Sequence, residues 1–91
     1  MIHLEKVKTN KKGYIIKRLT LNEITLTRYE LSLTSYDDNG YYNTYDSGII
    51  AIYDNSNEAI DQFERIGYRY GFTDFNIWLQ NKGKKLMLIK E

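Results

Sequence analysis

Along most of the first fifty positions apolar residues alternate with polar ones, the period of strands with one buried face. "IHLEKV" alternates, "TNKKG" supplies turn residues, and "YIIKRLTL" is β-branched enough for a second strand, so the chain opens as a hairpin. "EITLTRYELSLTSY" is the clearest strand. Ile24 and Leu26 share one parity there, while Tyr29, Leu31 and Leu33 share the other, and the switch at Thr27–Arg28 implies a bulge or a break. "DDNG" follows, and Asn39-Gly40 predicts a chain reversal. The return strand runs through "YYNTY", is interrupted at Asp46-Ser47-Gly48 and resumes as "IIAIY". A hairpin over 35–48 is therefore expected to project beyond the core.

The period then changes. "DNSNEAIDQFERIGYRYG" sets Ile60, Phe63, Ile66, Gly67 and Tyr70 at steps of three or four, which predicts a helix with one face against the sheet. Asn55 can cap it with Glu58 three residues on; Asp54, Glu58 and Asp61 suit its positive end, and Arg65 and Arg69 its negative end. Gly71 can close it in a left-handed conformation. "FTDFNIWLQ" alternates Phe75, Ile77 and Leu79 as a strand, although Phe75, Trp78 and Leu79 also fit a short helix capped by Thr73. The strand is favoured because "NKGK" then turns into "LMLIK" and completes a hairpin. The pattern as a whole predicts one α+β domain over residues 1–91, an antiparallel sheet of about five or six strands with one helix packed on one face. Leu31, Ile60, Phe63, Phe75 and Trp78 are its expected core.

Tyrosine changes the picture, because nine of the 91 residues are tyrosine. "SYDDNGYYNTYDSG", Ser35 to Gly48, holds four of them with three aspartates and two asparagines. Tyrosine gives an interface much contact area for little rotamer entropy, asparagine gives adaptable hydrogen bonds, and aspartate complements a partner's arginine. Tyr36, Asp37, Asp38, Asn39, Tyr41, Tyr42, Tyr45 and Asp46 are the candidate partner-binding residues. If the hairpin projects, at least two of its tyrosines are exposed.

The net charge of +1 hides a segregation. Up to Arg18 there are six basic residues against Glu5, from residue 19 to 64 nine acidic residues against Arg28, and from residue 65 six basic residues against Asp74 and Glu91. Such a field suits a charged partner. Lys6, Lys8, Lys11, Lys12, Lys17 and Arg18, with Lys82, Lys84 and Lys85 in a second turn, form the alternative reading, a small nucleic-acid-binding domain. Against it, the tyrosines that would stack on bases lie in the acidic segment. A third reading is an assembly subunit that self-pairs through the strand "IHLEKV".

Catalysis finds little support. The single histidine, His3, lies near the terminus, and neither a phosphate-binding G-x-x-x-x-G-K-S/T nor a G-x-G-x-x-G loop occurs. Asp37 and Asp38 fall in an exposed tip, where nothing raises a carboxyl pKa toward a catalytic value. With no cysteine and one histidine, a tetrahedral zinc site is excluded. A twelve-residue calcium loop can be laid on Ser35, Asp37, Asn39, Gly40, Asn43 and Asp46, but serine replaces its leading carboxylate and aspartate its bidentate glutamate. No cofactor or metal is expected. No apolar run reaches the roughly 18 residues of a membrane span, and "MIHLEKVKTNKKG" has no signal-peptide core, so a cytoplasmic protein is expected.

A short, cysteine-free chain rich in Tyr, Asn, Asp and Lys resembles accessory proteins of phages and mobile elements in low-GC bacteria. From Ile24 to Phe72, the acidic "DDNG" hairpin followed directly by the helix "NSNEAIDQFERIGYRYG" is similar in element order to the small anti-CRISPR inhibitors of RNA-guided nucleases. That resemblance implies a non-enzymatic inhibitor that occupies a nucleic-acid-reading surface of a host nuclease. The chain departs from the family in being slightly basic overall, so the resemblance implies a locally acidic arm in place of an acidic whole surface.

Overall fold

The computed structural model describes residues 1–80, and the hairpin expected over "NKGK" and "LMLIK" lies outside them. Four strands succeed one another as an antiparallel meander: β1 (His3–Thr9), β2 (Ile15–Thr25), β3 (Arg28–Tyr36) and β4 (Tyr42–Tyr53). Helix α1 (Ser56–Arg69) follows, then a short strand β5 (Thr73–Asp74) and a second helix α2 (Phe75–Gln80). Strand β5 pairs antiparallel with the outer side of β1, so the sheet order is β4-β3-β2-β1-β5. This is an α+β fold with a helix on an antiparallel sheet.

Strand alternation decides which residues meet the helix. Leu19, Leu21, Tyr29 and Leu31 are buried on the face that receives Ala59 and Phe63 of α1, with Ile2, Leu4, Leu33, Ala51, Ile60 and Ile66 packed around them. Burying such side chains contributes on the order of 1.5–3 kcal/mol each. Helix α1 starts where expected. Asn55 is extended at φ −140°, and its side chain accepts the Glu58 N–H at 2.8 Å, which satisfies a backbone donor that has no partner within the helix. The helix closes at Tyr70, and Gly71 takes the left-handed conformation at φ 72°.

Lys6 is the polar centre of the packing. Its side chain is 9% exposed, and its ammonium donates to Asp74 Oδ1 at 2.9 Å and Glu64 Oε2 at 3.1 Å and lies 5.4 Å from the centre of the Phe63 ring. One side chain thus ties β1, α1 and β5 together. Burial pulls its pKa down, but the hydrogen bonds and charges of the two carboxylates outweigh that and leave it raised above 10.5.

Three details of the expected fold are changed. The parity switch at Thr27–Arg28 is a full chain reversal: Thr25 pairs with Arg28, and the Tyr29 hydroxyl donates to the Leu26 carbonyl at 3.2 Å, fixing the turn. The segment "EITLTRYELSLTSY" is therefore shared between β2 and β3. The interruption at Asp46–Gly48 is a bulge inside a continuous β4, visible as register shifts against β3 between Leu31 and Ser32 and between Leu33 and Ser35. The strand expected over 73–80 shortens to Thr73–Asp74, and Phe75–Gln80 is helical. Placing Phe75 and Trp78 one helical turn apart stacks their rings at 5.7 Å and lets Arg18 lie over Phe75 at 5.2 Å. Arg18 pairs with Val7 on the face away from α1, so α2 covers the other side of the sheet.

Candidate functional site

The tip between β3 and β4 is built from its own polar groups. Asp37 Oδ1 accepts the N–H groups of Asn39 at 2.8 Å and Tyr41 at 2.9 Å, and the Asp37 carbonyl accepts the Gly40 N–H at 3.0 Å. Gly40 needs its positive φ of 85°, and its Cα faces the Tyr14 ring.

The tip does not stand alone. In a meander alternate turns share one end of the sheet, so the turn after β1 lies beside it. Asn10, buried there, donates to the Asp38 carbonyl at 2.7 Å and accepts the N–H groups of Lys12 at 3.0 Å and Tyr14 at 3.1 Å. One asparagine therefore holds both turns. Further down the hairpin, the serines fill the bulge. Ser35 donates to the Asp46 carbonyl at 2.9 Å, while Ser47 accepts the Ser35 N–H at 2.9 Å and donates to the Asn43 carbonyl at 2.7 Å.

On this frame Tyr41 is 71% and Tyr42 60% exposed, and Asp37, Asp38, Asn39 and Asp46 are exposed beside them. Tyr36 is half-buried and meets Tyr42 edge to face, ring centres 6.3 Å apart. Asp46 receives the Asn43 amide at 3.2 Å. Tyr45 lies on β4, with its side chain outside the described ones. A groove of about 530 Å³ opens next to the tip, lined by Lys12, Tyr14, Arg18, Tyr36, Asn39 and Trp78. Tyr14, Lys12 and Asn10 belong to this surface although they lie far from it in the sequence. The signal that finds them is the meander itself, which returns every second turn to the same end.

The structure disperses the basic candidates. Lys6 is enclosed by its two carboxylates. Arg18 is on the opposite face, against Phe75 and 3.7 Å from Glu5. Lys8 and Lys17 face each other across β1 and β2, whereas Lys11 and Lys12 are exposed in the turn that adjoins the acidic tip. Lys82, Lys84 and Lys85 lie outside the described residues. His3 is exposed, with its ring against Asn22 and Glu5.

Compared with family models, curated proteins and solved structures, the chain matches none. Two exposed phenols, Tyr41 and Tyr42, and the carboxylates of Asp37 and Asp38 sit at a turn held by its own hydrogen bonds, with Asp46 farther along β4. The outer strand β4 continues the apolar character, with Ile49, Ile50 and Ile52 each about half exposed. By contrast β1, the strand expected to self-pair, is flanked by β2 and in part by β5. Among the described residues no helix is long and apolar enough to cross a membrane.

Proposed function

We propose that this chain is a non-enzymatic binding protein that engages a host protein through the tip of the β3–β4 hairpin. The observation that carries the reading is the pairing of exposed Tyr41 and Tyr42 with a turn already tied down by Asp37 and Asn10. Ordering a loop upon binding costs affinity, and a tip held by its own hydrogen bonds avoids much of that cost. Aromatic side chains among carboxylates and amides suit an arginine-bearing protein surface.

The more specific form is an anti-defence inhibitor encoded by a phage or mobile element, one that blocks a nucleic-acid-handling nuclease. It rests on the resemblance in element order and on the acidic character of the tip. Lys11 and Lys12 next to Asp38 make this end of mixed charge, which favours a protein surface with both signs over a bare nucleic-acid channel. Capture from a nuclease-treated bacterial lysate tests the reading. A single protein held by the wild type and lost by the Asp38→Lys variant supports it; proteins that disappear on nuclease treatment favour the lysine-based nucleic-acid reading instead.

A further inference from the structure

Past the end of α1 no described helix lies over the sheet, and its next inward-facing cross-strand pair after Lys6 and Leu19 is Lys8 opposite Lys17. Like charges directly opposite each other in a sheet destabilise it. Both lysines are half-buried, and among the described residues neither has a carboxylate partner; Lys17 Nζ reaches only the Ser35 hydroxyl, at 3.4 Å. They flank a cavity of about 390 Å³ whose wall includes Leu33, Ile50, Ile66 and Phe72. A concave apolar wall with a few convergent polar groups, within the roughly 300–1,000 Å³ range, is the form of a small-ligand site.

We propose that this cavity binds a small amphipathic carboxylate, an acyl or aryl chain with one anionic head. The chain lies against Leu33, Ile50, Ile66 and Phe72, and the carboxylate sits between Lys8 and Lys17. Each half of the ligand answers one feature of the site. A neutral apolar molecule leaves the two ammonium groups uncompensated, and a bare anion leaves the apolar wall wet. A carboxylate between them converts a repulsion into two charge-assisted hydrogen bonds. The site is separate from the hairpin tip and does not depend on the protein-binding role.

Octanoate, octanol and acetate titrated separately into isotope-labelled protein test the proposal by amide chemical shifts. Octanoate is expected to give saturable shifts centred on Lys8, Lys17, Ile50 and Phe72, with an affinity at least about tenfold above octanol or acetate. Lys17→Met is expected to weaken octanoate by about tenfold or more while raising the unligated melting temperature, since it removes the like-charge pair. Lys8→Met repeats the test from the other strand. The proposal is overturned if octanoate fails to saturate in the millimolar range, if octanol binds as well, or if both lysine variants bind octanoate as the wild type does.

Discussion

Lys6 crosses α1 over Gly67 so closely that a Cβ on Gly67 would lie 2.3 Å from Lys6 Cδ and 2.7 Å from Cε. The glycine is buried in the last turn of α1, still inside the helix where glycine is unfavourable, and the space it leaves is the path by which the lysine reaches Glu64 and Asp74. Gly67→Ala gains about 1 kcal/mol of helix propensity. The forced displacement of a side chain pinned by two carboxylates costs about 1–3 kcal/mol. A net change between about zero and a loss of about 2 kcal/mol in urea unfolding is expected, and in a Lys6→Ala background the same change becomes more favourable by the cost of the removed clash. A destabilisation that persists without the lysine would place the clash elsewhere.

Alkaline pH tests the same contact. The raised pKa of Lys6 means that the folded state holds its proton more tightly than the unfolded chain, so its stabilising effect is complete below 10.5 and lost as pH rises through the folded value. Partial burial, aided by the Glu58 charge, also raises Tyr53 above 10.0, and ionising that half-buried phenol acts in the same direction. Wild-type stability should fall above about pH 10. Its advantage over Lys6→Met should narrow over the same range; a constant gap between the two melting curves would mean that the ammonium contributes only packing.

Asn10 is the joint between the two turns. Asn10→Ala leaves the Asp38 carbonyl and the Lys12 and Tyr14 N–H groups without this partner, a cost of about 1–3 kcal/mol. Hydrogen exchange at Gly40 and Tyr41 should quicken more than at Leu21 or Leu31 in the sheet centre. Uniform acceleration across the sheet would show Asn10 to be a general stability residue and not a local tie.

The β1–β2 and β3–β4 hairpins, the cap at Asn55 and the stripe of α1 were legible because each rests on local chemistry: alternation, Asn-Gly, a side chain that caps a backbone N–H. The turn at Leu26–Thr27 was half legible. Its parity switch showed that something happened there, but without glycine or asparagine the turn has no composition signal, and the Tyr29 hydroxyl that fixes it is a contact made only after folding. Residues 75–80 satisfy both periods over a short stretch, and the stacking of Phe75 on Trp78 under Arg18 decided for the helix. Lys6 read as part of a basic cluster, because its two partners come from 58 and 68 residues away.

The tip residues carry the functional claim, so they should be separable from stability. Tyr41 and Asp38 are exposed, and their replacement by alanine or lysine should move stability by no more than about 0.5 kcal/mol. The most direct measurement is the dissociation constant of the captured partner for wild type and for Tyr41→Ala, made on samples with matched melting temperatures. The account predicts a loss of at least about tenfold, carried mainly by faster dissociation. Equal affinity for the two proteins, or weakening that merely follows a drop in melting temperature, would contradict it.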